Sequence, residues 1–158
     1  MFNQNTYTQT TGDWQTDTAI TMPVYREVAY ALLRLTLGTV FLTTGTAKFM
    51  MGIGTFAAGL QQQFAGKLPT ALVVPFGYAL PFLEVTVGAL LILGLFNQFG
   101  LTLAGLLIIA LTLGKVIEGD PATVAHNLSY AIIIFVLLWL ADYNRFSVDR
   151  LRRKQAAK

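Results

Sequence analysis

Apolar residues dominate four stretches of the chain, at about residues 28–48, 71–96, 99–117 and 121–141, each long enough to cross a bilayer, which takes roughly 20 helical residues. Polar or glycine-rich segments separate them. Between the first two lies MGIGTFAAGLQQQFAGKLP, too short and too polar to span. Here Ile53, Phe56, Leu60 and Phe64 recur at helical spacing while Gln61, Gln62 and Gln63 fill the other side, which predicts a short interfacial or re-entrant helix. Its glycines, Gly52, Gly54, Gly59 and Gly66, suit either a gate or a fixed connector. A tight FNQF turn joins the second and third spans. Asp120 followed by Pro121 starts the last, with the carboxylate placed to accept from free amides and proline in the first helical position. The pattern predicts an all-α membrane protein, a four-transmembrane-helix bundle with a short interfacial or re-entrant helix between helices 1 and 2.

The ends of the chain break this pattern. Residues 1–24 are rich in Thr, Gln and Asn and lack both the basic and the apolar region of a signal peptide, so they read as a polar arm outside the bundle. Phe2, Tyr7 and Trp14 are its candidate anchors on a partner or the bilayer surface. Residues 25–144 form the membrane domain, and residues 145–158 a basic tail. Trp139 and Tyr143 stand before that tail as an interfacial aromatic belt. Arg145, Arg150, Arg152, Arg153, Lys154 and Lys158, together with Arg26, outweigh Lys48, Lys67 and Lys115 across the membrane, which puts both termini in the cytoplasm of a bacterial inner membrane or a related one. Four spans satisfy that parity.

Composition agrees with the pattern: 54% of residues are hydrophobic and only 12% charged, far from soluble averages. The net charge of +3 comes largely from the tail, so it points to membrane orientation and lipid headgroups, and not to nucleic acid. With no cysteine, disulfide, thiolate and persulfide chemistry are excluded. No Walker loop, dinucleotide fingerprint or multi-ligand metal motif occurs, so catalytic residues stay unassigned and no metal site is expected.

Candidate chemistry comes down to a few polar residues inside the spans. Glu84 lies mid-span, and because a central carboxylate costs roughly 2.5 to 3.5 kcal/mol to insert it should face protein, a counter-charge or water. Gly77, Pro81, Glu84 and Gly88 share one helical face, and Pro75 and Pro81 leave carbonyls free and favour a kink. Arg34, Gly38, Phe41, Gly45 and Lys48 form a second stripe on the first span, with a cation at each end. Gly38, Gly45 and Gly88 are the expected packing positions. If the first two spans run antiparallel with flush ends, Glu84 is offset from Arg34 by only about 6 Å along the axis, so Arg34 is the expected partner and Lys48 a residue of the opposite rim. Gly100, Ala104, Leu107, Leu111 and Gly114 make a third small-residue face. Lys115 and Glu118 read as a solvated rim pair. His126 and Asn127 sit near the Lys48 rim. With one histidine in the chain, a bis-histidine haem would need another subunit.

The segments LLRLTLGTVFLTTGTAKF (32–49), PFLEVTVGALLILGL (81–95) and FSVDRL (146–151) resemble the DoxX family of small membrane proteins. The likeness rests on Arg34, Gly38, Gly45, Lys48, Glu84, Gly88, Gly94 and Asp149. It implies a four-helix bundle, and through the relative DoxD an association with thiosulfate:quinone oxidoreductase. Two functions of different class follow. One is a quinone-linked membrane subunit of an electron-transfer system, in which Arg34, Lys48 or His126 orients a headgroup and Glu84 handles a proton. The other is a structural or assembly subunit, packed on further membrane subunits or on copies of itself through its small-residue faces. A proton or small-solute path is a third, limited by the little room in so small a bundle.

Overall fold

The computed structural model describes the backbone of residues 13–144 and the side chains of residues 24–144. Among the described residues five helices run in chain order: α1 (Asp13–Met51), α2 (Ile53–Gln63), α3 (Thr70–Leu93), α4 (Asn97–Glu118) and α5 (Pro121–Trp139), followed by one 3-10 turn (Ala141–Tyr143). Four of them are long and apolar enough to cross a membrane, over Val24–Met51, Thr70–Leu93, Asn97–Glu118 and Pro121–Trp139. No strand occurs among the described residues. The fold is the expected four-transmembrane-helix bundle, with α2 as the short helix between the first two spans.

Helix ends follow from local chemistry. Gly94, at φ 64°, turns left-handed after α3, so that the Gly94 amide donates to Leu91 O and the Leu95 amide to Leu90 O. This closure ends α3 at Leu93, short of the expected Phe96. Gly119, at φ 86°, closes α4 in the same way through Asp120 N to Lys115 O. Asp120 caps α5 as its sequence suggests, with Oδ1 accepting from the Thr123 amide at 3.1 Å. At the other end of the chain α1 extends back to Asp13, well before the expected start near Val28. Once the apolar span has nucleated a helix, each added residue gains a backbone hydrogen bond at little cost. The anchors Phe2, Tyr7 and Trp14 and the basic tail lie outside the described residues or side chains.

The tightest packing is between α1 and α3, which run antiparallel. A Cβ on Gly38 would lie 2.9 Å from Ile92 Cγ1, one on Gly45 2.8 Å from Val85 Cγ2, and one on Gly88 2.5 Å from the Leu42 amide nitrogen. These three contacts set the register. They pair Gly38 with Ile92, Leu42 with Gly88 and Gly45 with Val85, a sequence that continues to Arg34 opposite Phe96. The ends of the two helices are therefore not flush: Leu93, the last residue of α3, falls opposite Leu37, and α1 continues beyond it back to Asp13. On the other side of α3, Gly77 lets α2 approach, since its Cβ would meet Ala57 Cα at 3.1 Å. Leu37, Val87, Leu91, Leu101 and Leu137, each no more than 2% exposed, fill the middle of the bundle.

Candidate functional site: a buried ion pair at the edge of a cavity

The α1 and α3 register decides what meets Glu84. Gly45 sits against Val85 and Glu84 Cβ, so Lys48, one turn further along α1, reaches the carboxylate. Its ammonium donates to Oε1 at 2.9 Å and to Oε2 at 2.6 Å. The glutamate side chain is 4% exposed and the lysine side chain 20%. The amine therefore keeps one side toward open space, where it lies 5.5 Å from the centre of the Phe56 ring of α2. The expected Arg34 to Glu84 pair does not form. Arg34 is buried at the other end of α1, where Nη1 donates to Leu91 O at 2.8 Å. It supplies a cation to the C-terminus of α3, where carbonyls lack helical partners. The flush-end assumption misplaced it, because the glycine contacts slide α3 along α1 by about 12 Å relative to that alignment.

On α5, His126 and Tyr130 stand one turn apart and line the same cavity as the ion pair. His126 Nε2 and the Tyr130 hydroxyl are 3.1 Å apart, with the rings edge to face at 4.9 Å. Both face a cavity of about 420 Å³ that also receives Lys48, Glu84 and the buried Asn127. Most of the remaining wall is apolar, with Phe41, Phe56, Phe64 and Phe76 contributed by α1, α2, its C-terminal turn and α3. The volume falls in the usual range for small-molecule sites, and a largely apolar wall with a few convergent polar groups is their usual composition.

The mouth carries a separate set of charges. Lys115 Nζ lies 2.7 Å from Glu118 Oε2 and 3.6 Å from Asp120 Oδ2, and Lys67 donates to Glu118 O at 2.9 Å. Asp120 lies between the spans, and the hydroxyl and amide of Thr123 hold its carboxyl below the usual aspartate value. The rim pair expected from spacing is thus present, extended by one carboxylate. Among the described residues no group of three or more His, Asp or Glu is placed to hold a metal ion.

Of the sequence candidates, the structure brings Lys48, Glu84, His126 and Asn127 to one cavity and leaves Arg34 out. Gly38, Gly45 and Gly88 hold the expected packing positions. Tyr130 was missed, although its place four residues after His126 on one helical face marks it. So was a second polar cluster at the Arg34 end, where Asn97 donates to the Tyr30 hydroxyl at 2.7 Å and Arg26 to the Tyr143 hydroxyl at 3.0 Å. Glu27 and Tyr30 simply extend the Arg34 stripe backward by four and three residues, and both are buried.

A four-span bundle whose buried ion pair opens on an apolar cavity defines a class, the small polytopic membrane protein with an internal site. The chain belongs to the MauE family: the family model described as methylamine utilisation protein MauE matches residues 26–119. It is an integral membrane protein, and the matched region carries α1 from Arg26, α2, α3 and α4. This finding overturns the resemblance to DoxX. Glycines at helix-packing spacings recur wherever small membrane helices pack closely, so those positions did not separate the two families. No curated protein and no solved structure matches the chain.

Proposed function

We propose that the protein is a membrane subunit of an electron-transfer system and that its cavity receives the headgroup of a quinone. The observation that carries this reading is that two hydrogen-bonding pairs, Lys48 with Glu84 and His126 with Tyr130, line one aromatic-walled space. A quinone ring is flat, apolar on its faces and carries an acceptor oxygen at each end, so it suits phenylalanine walls with a donor on either side. The Lys48 ammonium donates at one end and Tyr130 or His126 at the other, while Glu84 holds the lysine in place. The quinone reading no longer draws on the DoxX likeness and stands on this geometry. Family membership adds that the namesake serves methylamine utilisation. Oxidising an amine releases electrons that need a carrier, so a quinone site and further subunits of a shared system fit that setting. By the charge bias both termini face the cytoplasm, and Lys67, Lys115 and Glu118 face the opposite side.

Thermal unfolding in detergent with a short-chain quinone tests the reading. A ligand that binds the native state raises the melting temperature saturably. The rise should vanish in Leu111→Trp, which fills the cavity from α4. A shift that does not saturate, or that survives Leu111→Trp, contradicts it.

A further inference from the structure

We infer that the cavity is an aqueous vestibule open to one face of the membrane, through which water, protons and small polar reagents reach the Lys48–Glu84 pair from the side of Lys67, Lys115 and Glu118 only. Two observations carry it. Polar residues line the cavity from the helix ends inward, with Gln63, Lys115 and Glu118 at the rim, then Thr123 and His126 on α5, then the ion pair, set in an otherwise largely apolar wall. Beyond Glu84 this lining stops. The apolar side chains of Leu37, Val87, Leu91, Leu101 and Leu137 close the bundle, and each residue is at most 2% exposed. On the far side of that plug lie Arg34, Tyr30 and Asn97, hydrogen-bonded to the protein and separate from the cavity.

The energetics agree. A charged pair in hydrocarbon is expensive, and a water-filled approach lowers that cost by hydrating the exposed side of the lysine. Proton exchange at the pair is then confined to one membrane face. What the vestibule admits besides water rests on the quinone reading; its sidedness does not.

The chain has no cysteine, so single-cysteine variants report access without background. A thiol reacts with a membrane-impermeant methanethiosulfonate only where water lets the thiolate form. In oriented vesicles, Thr44→Cys and Leu111→Cys on the cavity wall should label from the Lys67 face and not from the other. Leu37→Cys in the plug should label from neither. Gln98→Cys, at the exposed start of α4 beyond the plug, should label from the opposite face and fixes the orientation. Melting temperatures confirm which variants fold. Labelling of both cavity positions from the Gln98 face, from both faces, or from none overturns the inference. A short-chain quinone added before the reagent separates the two proposals. If it leaves one-sided labelling unchanged, the vestibule stands and the quinone reading fails; if it blocks labelling that occurs from both faces, the reverse holds.

Discussion

Lys48 on α1 holds both carboxylate oxygens of Glu84 on α3, at 2.9 and 2.6 Å, across the most closely packed helix pair of the bundle. The two residues differ in burial, and that asymmetry has a measurable effect. Lys48→Met strands a carboxylate that is 4% exposed and should cost about 3 kcal/mol. Glu84→Leu leaves a lysine that can turn its amine into the cavity, so about 1 kcal/mol is expected. The double variant should resemble Glu84→Leu alone. Melting in detergent checks this, and additive losses would show that the two charges are not coupled.

Arg34 provides the contrast. Its guanidinium serves Leu91 O at the end of α3 and makes no contact with the ion pair. Arg34→Leu should destabilise by about 2 kcal/mol through the lost charge-assisted hydrogen bond, additively with Glu84→Leu. A double-variant cycle with a coupling above about 0.5 kcal/mol would mean that the two sites communicate.

Glycine positions separate register from ordinary flexibility. Gly88→Ala forces a Cβ to 2.5 Å from the Leu42 nitrogen, a backbone atom that cannot swing away, so a loss of about 2 kcal/mol or more is expected. Gly59 lies on the exposed side of α2 with nothing within 4 Å of the added carbon. Gly59→Ala should therefore stabilise by about 0.5 to 1 kcal/mol through helix propensity. Comparing the two melting temperatures tests whether close helix approach defines the fold.

Asp120 ties the rim to pH. Thr123 holds its folded-state carboxyl below the ordinary value, so the stability it contributes is fully present above about pH 4 and is lost as pH falls through the lower folded value. Wild type should melt above Asp120→Ala at about pH 6, and the gap should close as the solution is acidified through the lowered folded-state value. A gap that stays constant over that interval would show that the carboxylate form does not matter.

Much of this was legible in the chain itself. Four apolar runs, the Ile53 to Phe64 pattern and the Asp120–Pro121 start foretell the helices, because span length and capping are local properties. The faces were legible too: Gly77, Pro81, Glu84 and Gly88 are all buried, as their spacing requires. The partner of Glu84 was not, since it depends on how far two helices slide, and that is set by contacts such as Gly88 on Leu42 between residues far apart in sequence. The cavity was illegible for the same reason. Its walls come from all five helices, and only the turn shared by His126 and Tyr130 is visible along one of them.

The central claim, that the space between Lys48–Glu84 and His126–Tyr130 is a quinone site, is tested most directly by photolabelling in native membranes with an azido-quinone. Peptide mapping should place the label on cavity-wall residues of α1 between Val40 and Lys48 and of α5 between Thr123 and Tyr130, with excess unlabelled quinone preventing it. Label found only on outward apolar positions such as Leu106, Ile132 or Phe135, and undiminished by competitor, would contradict it.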